Sequence, residues 1–326
     1  MKNKLLMIGS GDIGQRVIKK LARRSVACGV TFDSIHAVTS NRSHLAPLRH
    51  LGARAQQADL DRPGTLHRLP RDWTAMLHAA PPQSYPDSPG QRPQSSTQRD
   101  QRTRNLLRVI EHHRIAARVA KRRNRVLIYL STSGVYGDCG GARITEAQAL
   151  KPHNARAKRR VDAERSLTHA AKRGAFRLII LRVPGIYAAN RLPIERLKAG
   201  TPALRDQDDV YTNHIHADDL AAICIAALAR AQRRLQPQVR IYHASDDGAL
   251  KMGAWFDCVA DTFGLPRPPR LPRSEIAAKV SPALQSFMNE SRRLDNTRMK
   301  RELRVQLQFA TAADGAAAAK LVTAQA

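Results

Sequence analysis

The sequence predicts an α/β protein with a doubly wound parallel β-sheet followed by a smaller C-terminal lobe. Three observations support this. Short, almost continuous apolar runs alternate with longer segments of helical periodicity, as in sheets covered by helices on both faces. A glycine cluster directly follows the first apolar run. The 326 residues are 42% hydrophobic and 25% charged, which is ordinary for a globular chain with one large core.

The predicted elements follow in order along the chain. The first strand, Lys4 to Ile8, leads into a helix from Asp12 to Ala27 whose apolar residues share one face. Further strands are predicted at 35–39, 53–57, 74–80, 125–131, 177–183 and 239–244. Further helices are predicted at 102–120, 154–173 and 217–230. If the last helix is taken as Asp219 to Ala229, Asp218 is its N-cap.

Two segments break this regularity. Residues 81–100 are rich in Pro, Gln, Ser and Arg, which predicts a surface loop after the fourth strand, at the carboxyl ends of the strands. The Ala-rich tail after Thr311 has no clear apolar stripe, and we expect it to fray.

The glycine cluster predicts a dinucleotide-binding loop. Gly9, Gly11 and Gly14 form a G-x-G-x-x-G pattern between a strand and a helix, the context in which that pattern is informative. The first glycine permits a tight turn, the second a close approach to a pyrophosphate, and the third close packing of helix on strand. The helix N-terminus, with Asp12 and Ile13, offers free N–H groups to phosphates.

The end of the second strand bears on the choice of cofactor. An acidic residue there would bind the ribose of NAD, whereas an arginine accommodates the 2′-phosphate of NADP. This chain has Ser40, Asn41 and Arg42, all of which can donate to a phosphate, and no acid. The sequence therefore favours NADP(H) over NAD(H).

The charge is unusual, because 55 Lys and Arg face 27 Asp and Glu, for a net charge of +28. The basic residues are spread along the chain in short runs, which favours a solvated basic surface and leaves nucleic-acid binding supported by overall charge alone. The four cysteines form no CxxC pair, which favours a reducing compartment. No apolar run is long enough for a membrane span or signal peptide, so we expect a cytoplasmic protein without a membrane partner.

Several segments together resemble a known family. Ser131–Asp138, after a predicted buried strand, resembles the SSxxVYG segment of the extended short-chain dehydrogenase/reductases, the NAD-dependent epimerase/dehydratase family. Other segments resemble family motifs in the family's order: Ala58–Leu60, Ala79–Pro82, Leu181–Tyr187, His214–Ala221 and Arg292–Leu303.

The resemblance implies a fold, a substrate class and more of the cofactor site. It implies a Rossmann-type NAD(P)-binding domain over residues 1–185, with 212–246 returning to it, and a small substrate lobe from 186–211 and 247–326. The cofactor would also contact Asp59, Leu60, Ala79, Ala80 and Pro184. The substrate would be a small polar molecule, and the resemblance allows a homodimer.

The family's catalytic residues are only partly present. Relatives use a Ser or Thr, a Tyr and a Lys four residues after the Tyr, and Thr132 fills the first position. Anchoring the helix on Lys158 places Asn154 at the Tyr position. Anchoring it on Glu164 instead places Arg156 at the Tyr position and Arg160 at the Lys position. On either alignment the phenol is missing.

Substitutes for the phenol are few. Histidine is the side chain that ordinarily exchanges a proton near neutral pH, and His153 precedes the helix; Tyr136 is the phenol within the motif itself. His214 and His216 would share one face of a strand, but no third ligand follows at metal spacing. The catalytic candidates are therefore Thr132, Lys158 and His153.

Three function classes stay open at this point. The first is an oxidoreductase or epimerase that acts on a small polar substrate, which could be nucleotide-linked. The second is a catalytically silent dinucleotide-binding sensor or scaffold, favoured by the missing Tyr. The third is a basic nucleic-acid-associated protein, favoured only by the net charge.

Overall fold

The computed structural model describes residues 2–23, 29–83, 98–116, 125–231 and 238–324. Most of the loop predicted at 81–100 lies outside the described residues. The strands are β1 (Lys4–Ile8), β2 (Ser34–Thr39), β3 (Arg54–Gln57), β4 (Ala75–His78), β5 (Val126–Thr132), β6 (Arg143–Ile144), β7 (Arg177–Val183), β8 (Gly185–Tyr187), β9 (Ala203–Leu204), β10 (His214–His216), β11 (Val239–His243), β12 (Arg270–Leu271) and β13 (Arg293–Leu294). The helices are α1 (Asp12–Ala22), α2 (Leu45–His50), α3 (Gln101–Ala116), α4 (Ala155–Lys172), α5 (Ile194–Lys198), α6 (Ala217–Ala231), α7 (Met252–Phe263), α8 (Arg273–Ile276), α9 (Pro282–Met288), α10 (Thr297–Leu303) and α11 (Ala312–Ala324).

Seven parallel strands form the central sheet in the order β11-β7-β5-β4-β1-β2-β3. The chain runs outward from β1 through β2 and β3, then returns to β4 on the other side of β1. This reversal of direction is the topological switch point of a doubly wound sheet, where such folds bind ligands outside the carboxyl ends of the strands. The predicted Rossmann-type fold is confirmed.

Alternation along each strand divides the core into two layers. Leu5 and Met7 of β1 pack with α1 and α6 on one face, whereas Leu6 and Ile8 pack with α3 and α4 on the other. All four side chains are almost fully buried. Because successive side chains of a strand point to opposite faces, an apolar run such as Lys4–Ile8 needs helices on both sides.

A third apolar cluster forms the C-terminal lobe. It contains Tyr187, Trp255 and Phe256, and gathers residues of α5, α7 and α11. The lobe lies over the carboxyl ends of β5 and β7, where a cleft opens between it and the sheet. The division of the chain into two domains at about residue 185 stays a prediction.

Two sequence expectations about helices are wrong. The tail does not fray after Thr311, since α11 covers Ala312–Ala324 and Tyr187 donates a hydrogen bond to the Thr311 carbonyl oxygen (3.1 Å). Gly315 lets the helix approach, because a Cβ there would lie 2.3 Å from the Tyr187 ring. Asp218 is not the N-cap of α6, which begins one residue earlier; instead His216 Nδ1 accepts from the Asp218 N–H (3.2 Å).

None of the helices in the described part of the chain is long and apolar enough to cross a membrane.

Candidate cofactor site and active-site cleft

The glycine loop is folded tightly against the end of β4. Gly9 has φ +86°, and a Cβ on it would lie 2.4 Å from the Ala80 backbone nitrogen. Gly9 and Ser10 donate their N–H groups to the Val38 carbonyl, and Ala80 donates to the Ile8 carbonyl (3.1 Å each). Only glycine fits the first position of the motif, because both the positive φ and the neighbouring backbone exclude a side chain.

The other two glycines serve packing and access. A Cβ on Gly14 would lie 3.3 Å from the Gly9 carbonyl oxygen, so helix α1 sits close to the loop. A Cβ on Gly11 would have no neighbour within 4 Å, so the backbone there borders open space. Gly11 is the N-cap of α1, and no side chain caps the helix. The first N–H groups of α1 therefore remain available to an anion, as the motif predicts.

A carboxylate lies next to this anion site, and two guanidinium groups neutralise it. Asp12 opens α1, and its Oδ1 accepts from Arg16 Nε (2.9 Å). Its Oδ2 pairs with Arg191 of the lobe (3.0 Å). Arg16 also pairs with Asp218 (2.8 Å). The Asp12 charge is thus compensated, and it does not oppose phosphate binding at the helix N-terminus.

The residues predicted to hold the adenosine end lie at the adjacent ends of β2 and β3. Ser40, Asn41 and Arg42 are exposed. The Asn41 Oδ1 accepts from the Ser43 N–H (3.0 Å), which orders the turn that carries Arg42. Leu60 is buried at the start of the turn that follows β3. The structure therefore brings the predicted adenosine-binding residues to one edge of the sheet.

Asp59 and Ala79 complete the set predicted beside the cofactor. Asp59 is half-buried, and its Oδ1 accepts from the Asp61 N–H (2.9 Å). Ala79 follows β4 and donates its N–H to the Ile8 carbonyl (2.8 Å), next to the glycine loop. Both therefore lie at the carboxyl edge of the sheet.

A cavity of about 370 Å³ lies between this edge and the lobe. Its lining includes Thr132, Ser133, Gly134, Asn154, Arg156, Ala157, Arg160, Pro184, Gly185, Tyr211, Asn213, His214, Met252, Trp255, Phe256, Leu284, Phe287, Glu290 and Arg292. Thr132 ends β5, and its Oγ1 accepts from the Gly134 N–H (3.2 Å). No acceptor for its hydroxyl proton lies among the described residues, so Thr132 can donate that proton to a ligand.

Helix α4 presents two arginines to this cleft. Asn154 caps the helix by accepting from the Ala157 N–H (2.8 Å). Arg156 and Arg160, one turn apart, both line the cavity, whereas Lys158 does not. Side chains two residues apart in a helix point to roughly opposite sides, so Lys158 faces away from the side that carries Arg156 and Arg160. The geometry therefore favours the alignment that anchors on Glu164 and places Arg156 and Arg160 at the Tyr and Lys positions.

His153 also lies outside the cleft. It is exposed, and its ring packs on Gly137, where a Cβ would lie 2.6 Å from the ring. It borders a neighbouring depression with Asp138 and Gln285. The structure thus brings Thr132 and Pro184 into the cleft and leaves the candidates Lys158 and His153 outside it.

The charges that line the cleft are three cations and one anion. Arg160 donates from one terminal nitrogen to the Leu130 carbonyl (2.6 Å) and the Tyr129 hydroxyl (3.1 Å). Arg156 lies over the Phe287 ring (4.6 Å to the centroid). Arg292 pairs with Glu290 (2.8 Å). The cleft therefore carries net positive charge.

The histidines of β10 contact an aromatic ring of the lobe and the start of α6. His214 lines the cleft against Trp255 (ring centroids 4.8 Å apart), and burial lowers its pKa to about 4, so it is neutral at pH 7. His216 accepts the backbone hydrogen bond that opens α6. Among the described residues, no group of three or more His, Cys, Asp or Glu is arranged to hold a metal ion.

The phenol inside the Ser131–Asp138 motif is part of the buried core. Tyr136 is fully buried, and its hydroxyl contacts Arg182 (2.7 Å) and His243 Nε2 (2.5 Å). Burial raises the pKa of Tyr136 to about 12. Tyr136 therefore belongs to the core and not to the cleft. The phenol that lines the cleft is Tyr211, which the sequence analysis did not identify as a candidate.

A buried ion pair holds the rear wall of the cleft. Glu164 of α4 and Arg182 of β7 pair at 2.8 Å, with side chains 5% and 4% exposed. Ser131 of β5 donates to Glu164 Oε1 (2.5 Å), and Arg182 donates to Tyr136. The pair thus ties α4 to two neighbouring strands directly behind Thr132.

The model of the NAD dependent epimerase/dehydratase family matches residues 5–242. The chain belongs to this family. The resemblance drawn from the sequence motifs is thereby confirmed. No protein of curated function matches the chain in sequence.

Solved structures of similar fold span almost the whole chain of this family member. A functionally unknown conserved protein from Silicibacter pomeroyi is 26% identical, with a TM-score of 0.76 and coverage of 98% of this chain and 99% of that one. The dTDP-glucose 4,6-dehydratase DesIV from Streptomyces venezuelae, solved with NAD and TYD bound, is 21% identical (TM-score 0.73; 99% and 97% covered). The UDP-glucuronic acid 4-epimerase from Bacillus cereus, in complex with NAD, is 16% identical (TM-score 0.69; 99% of each chain).

Proposed function

We propose that the protein binds a nicotinamide dinucleotide and acts as an oxidoreductase or epimerase on a small polar substrate in the cleft. One observation carries this proposal. The glycine loop after β1 and Thr132 at the end of β5 lie at the same edge of one parallel sheet, under the lobe. DesIV and the Bacillus cereus epimerase, which share this fold, were solved with NAD.

The residues present fit such a cofactor. The uncapped N-terminus of α1 and the open space at Gly11 suit a pyrophosphate. Asp59, Leu60, Ala79 and Ala80 would border the adenosine end, and Pro184 would border the nicotinamide in the cleft. A bound nicotinamide dinucleotide donates or accepts a hydride.

The chain's own residues would stabilise negative charge on a substrate oxygen rather than exchange its proton. The Thr132 hydroxyl is free to donate a hydrogen bond to a carbonyl or hydroxyl oxygen. A guanidinium group donates hydrogen bonds and accepts none, so Arg156 and Arg160 can balance an oxyanion but cannot act as a general base. This differs from the phenol that relatives use, and we propose that water exchanges the proton.

We further propose that the cofactor is NADP(H). Arg42 is exposed just beyond β2, in a turn that the Asn41 side chain orders. Ser40 and Asn41 precede it, and no acid stands in this segment to repel a 2′-phosphate. A guanidinium group suits a phosphate because its donors are planar and permanently charged.

A second candidate is a dinucleotide-binding protein without turnover. It is favoured by Arg156 at the position where relatives carry a phenol. Turnover of any substrate with stoichiometric cofactor oxidation or reduction separates the two candidates. Tight dinucleotide binding without turnover over a broad substrate screen would favour the second.

The decisive experiment is titration of the full chain with NADPH and NADH, followed by nicotinamide fluorescence, at low and moderate salt. We expect saturable binding that survives moderate salt. The variant Gly11→Val should abolish it, because the valine fills the approach to the backbone. Ala277→Val is the control, since Ala277 is exposed in the C-terminal lobe, outside the predicted cofactor site, and has an ordinary helical backbone conformation.

Other outcomes would redirect the proposal. Full binding by a folded Gly11→Val variant would mean that the loop is only a turn. Binding that disappears with salt in both variants would reflect the attraction of a +28 protein for any polyanion. A steep salt-dependent affinity for DNA or RNA, unaffected by cofactor, would support the nucleic-acid alternative.

A further inference from the structure

The cleft contains more positive charge than its own acid can balance. Its lining has three guanidinium groups, on Arg156, Arg160 and Arg292, and one carboxylate, on Glu290. Glu290 is already paired with Arg292 (2.8 Å) and accepts from Asn154 (3.3 Å). Among the described residues, neither Arg156 nor Arg160 has an acidic partner within ion-pair distance. Arg156 and Arg160 therefore line the cavity without an ion-pair partner in this part of the chain, and the single carboxylate of Glu290 cannot balance all three cations.

The third guanidinium group of the cleft, on Arg292, has a buried nitrogen without a hydrogen-bond partner among the described residues. Arg292 is more than nine-tenths buried and lines the cleft. Its terminal nitrogen donates to Gly137 O (2.7 Å) and Glu290, but its Nε has no hydrogen-bond partner. That Nε is closed off from solvent, whereas the second terminal nitrogen, Nη2, donates to no described residue and is the donor that Arg292 can offer to a ligand in the cleft.

Arg156 is held in place without using its donors. Its guanidinium lies over the Phe287 ring of α9 at 4.6 Å, which orients the plane of the group. It makes no hydrogen bond to another described residue, whereas Arg160 already donates to Leu130 and Tyr129. An oriented guanidinium with free donors matches a planar carboxylate, which it can bind through two parallel hydrogen bonds.

The remaining lining limits the size of the ligand. A cavity of about 370 Å³ is near the lower end of the range for small-molecule sites. Met252, Trp255 and Phe256 give it an apolar wall on the lobe side. The cleft thus suits a compact anion with a short carbon skeleton.

We propose, resting on the function proposed above, that the substrate is a small oxo- or hydroxy-acid whose carboxylate is held by Arg156 and Arg292 beside Thr132. In the reducing direction the carbonyl carbon gains a hydride from the bound dinucleotide, which is oxidised by two electrons. The carbonyl π electrons become a lone pair on the oxygen next to the Thr132 hydroxyl. Water then supplies the proton, and the product is the hydroxy-acid.

The test measures binding, so it does not depend on turnover. Pyruvate, oxaloacetate and 2-oxoglutarate are titrated by calorimetry into the full chain, each beside its own uncharged ester or amide, such as methyl pyruvate and pyruvamide for pyruvate. We expect at least one acid to bind saturably and its neutral counterpart not to bind. Arg156→Gln should weaken the acid at least about tenfold, because it removes charge-assisted hydrogen bonds.

Arg165→Gln is the matched control. Arg165 lies exposed on the same helix, away from the cleft, and the substitution removes the same charge. It should leave acid affinity unchanged. Dinucleotide affinity and melting temperature, measured for both variants, show whether Arg156→Gln is folded.

The outcomes separate this inference from the proposed function. If the dinucleotide binds but no acid does, or if acid and neutral probes bind equally, the acid substrate is refuted and the proposed function stands. If Arg156→Gln and Arg165→Gln weaken the acid equally, the effect is general charge, and the assigned carboxylate site is wrong. If acids bind but no dinucleotide does, the proposed function fails instead.

Discussion

The contribution of the buried Glu164–Arg182 ion pair to the free energy of unfolding can be predicted and measured. The two side chains are 5% and 4% exposed and pair at 2.8 Å. The substitution Glu164→Gln keeps the size of the side chain but removes its charge. Arg182 is then left as a buried cation without a counter-charge, and Ser131 loses a charged acceptor.

The expected cost follows from burial and chain length. Removing one partner of a buried pair costs about 3–5 kcal/mol. An unfolding entropy of about 2.1 cal/mol/K per residue gives about 0.7 kcal/mol/K for 326 residues. Glu164→Gln should therefore lower the melting temperature by about 4–7 °C. The double variant Glu164→Gln/Arg182→Met should cost about 0.5–3 kcal/mol less than the sum of the single variants, because it leaves no orphaned charge.

The assay is urea and thermal unfolding of wild type, both single variants and the double variant. Glu195→Gln is the control, since Glu195 pairs with Lys198 at 3.0 Å on the exposed surface. It should change stability by less than about 1 kcal/mol. Equal costs for Glu164→Gln and Glu195→Gln, or strict additivity in the double variant, would refute the reasoning that burial sets the value of the pair.

Three further predictions concern the site and the lobe. Thr132→Ala should lower turnover strongly at nearly unchanged cofactor affinity, because it removes the donor to the substrate oxygen; unchanged turnover would refute that role. Arg42→Ala should weaken NADPH more than NADH, whereas Arg49→Ala, on the exposed face of the next helix, should affect neither; equal losses would contradict the NADP preference. Burial raises the pKa of Asp246 to about 7, so the folded state binds a proton that the unfolded carboxyl releases near pH 4, and the free energy of unfolding falls as pH rises between about 4 and 7. Asp246→Asn should remove this slope and be the more stable protein at about pH 8 in urea unfolding, and an unchanged slope would show that other groups cause it.

The parts of the fold that follow a local pattern could be predicted from the sequence. The bounds predicted for β1 and β7, Lys4–Ile8 and Arg177–Val183, coincide with the structure, because a fully buried parallel strand is a short apolar run between polar residues. The turn at Gly9–Gly14 could also be predicted, because the whole glycine motif lies within six consecutive residues.

The features that depend on distant contacts could not be predicted. Helix α11 has no apolar stripe of its own, and it is ordered by contacts of Gly315 and Thr311 with Tyr187, more than a hundred residues earlier. Tyr211 reaches the cleft only because the chain returns from the lobe, so its sequence position gives no signal. The choice between the Lys158 and Glu164 alignments needed the direction of α4, which two conflicting anchors in the sequence left open.

Helix α4 carries Arg156 at the cleft and Glu164 in the core, eight residues apart on one continuous helix. At a rise of about 1.5 Å per residue, the two side chains are anchored about 12 Å apart along a rigid rod. Glu164 forms an ion pair with Arg182 of β7 and accepts a hydrogen bond from Ser131 of β5. The position of α4 beside the cleft is therefore fixed relative to the sheet. Phe287 and Trp255 of the lobe line the same cleft, so a molecule bound there would lie between the lobe and a helix that is fixed to the sheet.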